Sequence, residues 1–558
     1  MNRNAIVFVL ASLCILVGWQ FAMEKFFPAP KLKPGIAASQ SPGAPGTAPA
    51  SAGAAPNAVL ANSAVAPGKT TAATLKPAEE TSLSFETGAY EVTLSSLGAR
   101  VTGLKLKGVT QKVGDKTSVL DLVPSTDVPR FATLELPDVD LAGINWALLT
   151  PKPLEEDGQK VVRFSYKVPG KALELVKTFR FDPIKSRFSL EVQATNSGAQ
   201  VLNLGPLGLT WGPNLGGDSA GIGQFPPAAV VQLDGKIERE KAGKEQKVLA
   251  YEAPRWIAIK NHYFTLGFFP QGQGWTKAEI RMLGGGKVAI ALAAEGLALA
   301  PKQTIKLNVL SYAGAQEYDS LKEIGNNFQA VVQFQFYRLF DWLNPLCIGM
   351  LHVLKWFHWL TGNWGVAIIL LTLLVRGVMF YPSLKSMVSM RRMQTKMAQM
   401  QPRLEALKKI YKDDASKLNS ETMALYKEYG VNPLGGCLPM LLQIPIFFSL
   451  YGTLSAAFEL RGAAFVWQWT DLTAGDPTYI FPVAMGISMF LQQKLAPSNA
   501  ATMSEEQVQM QKMMLWLFPI MFTGMALFMK WPVGLLLYWT ASNTFGIIQQ
   551  LAVNKAID

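Results

Sequence analysis

Only three histidines and three cysteines stand in the 558 residues. Their scarcity removes several kinds of chemistry. Cys14, Cys347 and Cys437 all lie in or beside apolar segments, which excludes a disulfide framework and a thiolate metal cluster of the usual spacing. His352 and His358 are six positions apart and do not share a helix face as a metal pair does. His262 stands alone and reads as a packed or surface residue rather than a ligand. Acidic residues are missing from the interiors of the apolar runs beyond position 361. A coupled transporter normally carries carboxylates there. Gly486-Ile487-Ser488-Met489 has the look of an intramembrane serine nucleophile, but no histidine follows His358 to serve as its base. Net charge is +12, with 52 Lys and Arg against 40 Asp and Glu. The basic residues are dispersed, so sequence-specific nucleic-acid binding is not expected; basic loops beside membrane spans explain the charge better.

Two regimes share the chain. Residues 1–24 contain an apolar run after Arg3 and read as an uncleaved N-terminal anchor with its start in the cytoplasm. Residues 25–79 are rich in Ala, Pro, Gly and Ser and read as a disordered linker. Residues 80–317 alternate polar and apolar side chains: YEVTLSS at 90–96, VVRFSYKV at 161–168, LELVKTFRF at 173–181 and FSLEVQAT at 188–195. That period of two predicts half-buried strands of an antiparallel sandwich, placed across the membrane from the start of the chain. Residues 318–360 are aromatic-rich but interrupted by Asp341, Asn344-Pro345 and Lys355, a pattern that fits an amphipathic helix in the interface.

Residues 361–551 hold five apolar stretches, each near the ~20 residues that cross a bilayer. Between the first two lies a polar hairpin, 383–430, with apolar positions at threes and fours that predict two helices in an antiparallel coiled coil. From Pro382 to Gly430, Lys and Arg outnumber Asp and Glu by ten to five, which places this hairpin in the cytoplasm. Residues 552–558 are a short cytoplasmic tail. The expected architecture is therefore a six-span α-helical membrane protein with a large all-β domain outside and both termini inside.

Arg376 interrupts the first stretch of that core. A charge at such depth costs about 3 kcal/mol or more. Snorkelling toward the nearer headgroups is one reading; a wet cavity among the helices is the other. Thr372, Gln443, Ser449, Ser488, Gln492, Gln493, Thr540, Ser542 and Asn543 are spread over several of these helices. Their distribution favours a hydrated groove over simple helix packing.

NWGVAIILLTLLVRGVMFYP, MALYKEYGVNPLGGCLPMLLQIPIFFSLY and GLLLYWTASNTFGIIQQ closely resemble the YidC membrane protein insertases of the Oxa/YidC superfamily, in the form found in Gram-negative bacteria. The resemblance implies a periplasmic supersandwich and a five-helix core around a hydrophilic groove open to the cytoplasm and closed toward the periplasm. It implies a groove built by Arg376, Thr372, Gln443, Tyr538, Trp539 and Asn543. Met440, Phe447, Phe518 and Phe522 would form the apolar slide along which a hydrophobic segment passes. The implied function is a non-enzymatic insertase and chaperone of the bacterial inner membrane, without cofactor or metal. Implied partners are nascent membrane proteins, the lipid bilayer, the Sec translocon, ribosome-nascent chains and components of the signal-recognition pathway. Some relatives dock ribosomes through a long basic tail; the last residues here, to Asp558, have no such run. A solute transporter and a helix-anchored scaffold are the rival readings.

Overall fold

A computed structural model describes residues 80–111, 118–124, 130–216, 226–335, 338–412, 414–430, 438–495 and 505–557. The expected anchor at 1–24 and linker at 25–79 lie outside the described residues.

The alternating segments form strands where the pattern requires them. LELVKTFRF is the strand Leu173–Phe181, and its neighbours are Gln159–Val168 and Arg187–Asn196, both antiparallel to it. They belong to a ten-stranded sheet. Its order is Lys236–Lys241, Ala228–Leu233, Trp256–Lys260, Phe264–Gln271, Thr304–Ala315, Arg187–Asn196, Leu173–Phe181 and Gln159–Val168, with Ala147–Leu148 and Leu154–Glu156 both pairing the last. A five-stranded sheet (Gln246–Glu252, Lys277–Gly284, Lys287–Ala294, Leu207–Gly212, Arg130–Glu135) and a four-stranded sheet (Ser82–Glu86, Tyr90–Ser95, Arg100–Thr110, Val119–Asp121) complete the sandwich. One apolar core, with Tyr90, Phe131, Phe181, Phe188, Trp211 and Ile290, joins the three sheets.

Trp256–Lys260 breaks the alternation because both of its faces are covered. Ile257 and Ile259 point into the sandwich core, whereas Trp256 and Ala258 belong to a second core shared with the helical region. Phe328 is the hinge of that second core. Its ring meets Trp256, Phe269 and Tyr312 edge-on at centroid distances of 5.0, 4.7 and 5.8 Å. The Lys260 ammonium and the Arg239 guanidinium donate to the carbonyls of Val331 and Ala330 at 2.9 and 2.6 Å. They place two donors, one of them the Arg239 cation, at the carboxyl end of the short turn Phe328–Val331.

The helices are α1 (Tyr318–Ile324), α2 (Asn344–Thr361), α3 (Trp364–Val378), α4 (Phe380–Ile410), α5 (Ala415–Glu428), α6 (Leu438–Ala456), α7 (Ile480–Leu495), α8 (Glu505–Met529) and α9 (Val533–Ile557). Asn344-Pro345 opens α2 rather than interrupting it, because a proline in the first turn gives up an N–H that has no partner there anyway. Lys355 does not interrupt α2 either. Its ammonium lies 2.6 Å from both Asp319 and Glu459, which ties α2 to α1 and to the segment after α6. Asp414 separates α4 from α5 by accepting the Lys417 N–H at 2.9 Å. The two helices fold back on each other, with Arg403 2.6 Å from Glu428.

Among the described residues, Gln511–Met529 within α8 is long and apolar enough to cross a bilayer, and Trp364–Val378 is apolar but shorter. Leu351, Leu354, Ile368, Leu371, Leu450, Leu454, Met485 and Leu536 join α2, α3, α6, α7 and α9 in the second core.

Candidate functional site

The site begins with the ends of α3. Asn363 caps its first turn by accepting the Val366 N–H at 3.1 Å, and its amide donates to Phe465 O at 2.8 Å. That fixes the depth of the helix. Arg376 falls in the last turn, where exposed backbone carbonyls favour a cation. α3 ends at Val378, and Met379 separates it from α4.

Arg376 is half-buried and lines a cavity of about 1070 Å³. Its partner is Ser542 on α9. The serine hydroxyl accepts from Nε at 3.0 Å and from Nη2 at 2.6 Å. No carboxylate among the described residues forms an ion pair with this guanidinium. Gln443 on α6, Gln492 and Gln493 on α7, and Tyr538, Ser542 and Asn543 on α9 line the same space. Asn543 also donates to Ser488 Oγ at 3.1 Å, which locks α9 to α7.

The other predicted polar residues are placed differently. Thr372 is buried and is not among the residues lining the cavity; its hydroxyl donates to Ile368 O at 2.7 Å, one turn back in its own helix. Ser449 and Ser488 are likewise buried outside the lining.

Aromatic residues make the opposite wall. Phe447 on α6 and Phe522 on α8 each lie 5.3 Å, centroid to centroid, from the Trp539 ring. Trp531 stacks on Trp539 at 5.6 Å with 10° between the planes. Phe518 sits 6.4 Å from Phe522, outside the lining. The side chain of Met440 lies outside the described residues. The turn carrying Trp531 is held by a two-bond clamp, Val533 N–H to Ala474 O and Gly534 N–H to Leu472 O, both at 2.8 Å.

The far end of the cavity contains a contribution that the sequence did not suggest. His262 and Tyr263, from the sandwich, line it beside Asp471, Thr473 and Lys530. His262 Nε2 lies 2.9 Å from Ser455 O, and its ring stacks on Tyr263 at 4.0 Å. Arg461 crosses the same junction, donating to Thr110 O at 2.8 Å over the Phe264 ring. No sequence motif marks His262. Ser542, by contrast, is among the polar residues that already point to a groove in the sequence.

Among the described residues the cavity brings together the Arg376 guanidinium, neutral hydrogen-bonding groups and an aromatic wall, with Asp471 and Lys530 beside His262. Polar and apolar groups stand side by side in it. Among the described residues no three His, Cys, Asp or Glu are grouped to hold a metal.

Two family models match the chain. One, described as 60Kd inner membrane protein, covers residues 356–558; the other, described as YidC periplasmic domain, covers residues 82–344. The membrane protein insertase YidC of Citrifermentans bemidjiense is 34% identical over 100% of both chains. That of Geobacter sulfurreducens is 33% identical over 85% of this chain and 86% of its own length. Among solved structures, a galactose mutarotase-like protein from Clostridium acetobutylicum covers 43% of this chain and 99% of its own, at 8% identity and a TM-score of 0.30. A likeness that slight carries no argument about fold or chemistry.

Proposed function

Because the chain belongs to the YidC family of membrane protein insertases, we propose that the cavity around Arg376 is the groove through which it inserts substrate segments into the membrane. The carrying observation is the half-buried Arg376 guanidinium, bonded to a neutral hydroxyl and not to a carboxylate among the described residues. A cation in that state attracts an acidic segment without holding it permanently. Gln443, Gln492 and Asn543 exchange hydrogen bonds with the polar backbone of the segment as it leaves water. The hydrophobic part of the substrate slides along Phe447, Phe522 and Trp539, with Met440 and Phe518 continuing that surface, and partitions sideways into lipid. Water in the groove shortens the hydrocarbon path that charges must cross, so no nucleotide is needed.

In this reading α3, α6, α7, α8 and α9 are membrane spans and the N-terminal anchor is a sixth. The sandwich is periplasmic, and the α4–α5 hairpin is cytoplasmic and receives substrates. Thr372 supports α3 behind the groove. The Sec translocon, ribosome-nascent chains and signal-recognition components are partners of the same cycle.

The test uses purified protein in liposomes, a single-span substrate with an acidic translocated tail, and protection from protease. Insertion by wild type and Arg376→Lys, with loss in Arg376→Ala, is expected. Equal insertion by all three would remove Arg376 from the path. A lack of insertion above empty liposomes would count against the reading as a whole.

A further inference from the structure

The seat beneath Arg376 is more specific than a hydrated groove requires. Resting on the insertase reading above, we propose that one face of α9, formed by Tyr538, Ser542 and Gly546, fixes the Arg376 guanidinium, and that Ser542 thereby sets how strongly the protein prefers acidic over neutral translocated segments.

A guanidinium has five N–H groups. The Ser542 hydroxyl takes two of them, Nε and Nη2, at 3.0 and 2.6 Å. Two bonds to one oxygen hold the Nε–Nη2 edge of the group against α9. Among the described residues no bond reaches Nη1, so the edge remote from Ser542 is left for the cavity that Arg376 lines. That edge is the one able to present paired N–H groups to a carboxylate.

Gly546 makes room for this arrangement. It lies one turn beyond Ser542, and a Cβ there would stand 2.4 Å from Gln492 Nε2 and 3.9 Å from Arg376 Nη2. Any side chain would drive the Gln492 amide out of its place beside the arginine. Tyr538, one turn before Ser542, is buried and lines the cavity above the seat. The three residues share one helical face at intervals of four, and Asn543 holds that face in register with α7 through Ser488. Ser542 acts through Arg376, so it is a positioning residue. A swinging guanidinium would still attract negative charge, but it would lose the directed pair of bonds.

The full chain in liposomes would be given two single-span substrates that differ only in their translocated tails, one with Asp and one with Asn at the same positions. The protected fractions give an acidic-to-neutral insertion ratio. Ser542→Ala is expected to lower that ratio about tenfold, the scale of a lost hydrogen bond to a charged group. Ser542→Thr keeps the hydroxyl and the ratio; Gly546→Ala lowers it with Ser542 intact. An unchanged ratio in Ser542→Ala overturns the seat. Equal loss of both substrates overturns it too, because that is what a merely structural serine would give. A wild-type ratio of one overturns the seat and leaves the insertase standing, whereas a wild type that inserts neither substrate removes the insertase reading itself.

Discussion

The imidazole Nε2 of His262 lies 2.9 Å from the carbonyl oxygen of Ser455, and this contact joins the sandwich to α6. A carbonyl only accepts, so Nε2 carries the proton and the neutral ring already satisfies the bond.

That relationship predicts a pH dependence. Burial, reinforced by the Lys260 charge and opposed by the bond to Ser455, brings the His262 pKa down from 6.5 to about 4. A histidine whose pKa falls on folding binds its proton more weakly in the folded chain. Its stabilising contribution is complete above pH 6.5 and is lost as pH falls toward 4. The loss is about 2 kcal/mol, after allowance for water reaching the half-buried ring. Melting temperature between pH 4 and 6.5 is the readout. His262→Gln, which keeps a donor for Ser455 and cannot titrate, should flatten the wild-type slope; an identical slope in the variant would assign the acid sensitivity elsewhere.

Lys355 carries the second prediction. It hydrogen-bonds Asp319 and ion-pairs with Glu459, each at 2.6 Å, and the Glu459 side chain is only 12% exposed. Replacing Lys355 with methionine strands a nearly buried carboxylate, at a cost of about 3 kcal/mol. Adding Glu459→Gln removes the stranded charge and should recover much of that loss. Denaturation of the two single variants and the double variant closes the cycle. Additive losses would mean that the pair is not coupled.

Two helical glycines make a contrasting pair. A Cβ at Gly452 on α6 would lie 2.4 Å from the carbonyl oxygen of Phe334, whereas nothing lies within 4 Å of one at Gly349 on α2. Backbone cannot step aside as a flexible side chain can. Gly452→Ala should therefore cost about 1–3 kcal/mol and loosen α6 from the segment that links it to the sandwich. Gly349→Ala should be neutral or stabilising by about 1 kcal/mol, from helix propensity alone. Thermal melts of the two variants, with limited proteolysis near Phe334, separate these outcomes.

These sites also show where sequence was readable. Leu173–Phe181 could be placed to the residue because its side chains alternate, and the same period found the strands on either side of it. Lys177 was invisible to that logic. It occupies an inward position of the alternation, fully buried, with its ammonium donating to the carbonyls of Ala99 and Ala132. Burial holds its pKa far below the usual lysine range. Ala99 and Ala132 have positive φ angles of 44° and 55°, and no local pattern announces a carbonyl turned inward to meet a lysine. Trp256–Lys260 lacked alternation because a second layer covers its outer face. At the cavity, Arg376 stood out because a charge in an apolar run needs a reason. His262 did not, because its partner lies 193 positions away. Contacts set by period survive in a single sequence; contacts set by tertiary approach do not.

The aromatic wall supplies the last prediction. Trp539 is the ring shared by Phe447 and Phe522, each at 5.3 Å, and it stacks on Trp531 at 5.6 Å. Removing either phenylalanine leaves Trp539 with the other and with Trp531. Removing Trp539 breaks three ring contacts at once and leaves only Phe522 against Trp531, at 6.3 Å. Aromatic pairs contribute about 0.5–1.5 kcal/mol each beyond the area they bury, so Trp539→Ala should cost more than Phe447→Ala or Phe522→Ala, and Trp539→Phe should recover most of the difference. If this wall is the path of the hydrophobic segment, the effect on insertion should grow as the substrate's own span becomes less apolar, because a strongly apolar span partitions into lipid without guidance. Insertion would be measured for substrates in which one to three leucines of the span are replaced by alanine. A Trp539→Ala defect that steepens along the series places the wall on the route; a defect of the same size for every substrate makes it a packing element of α6, α8 and α9.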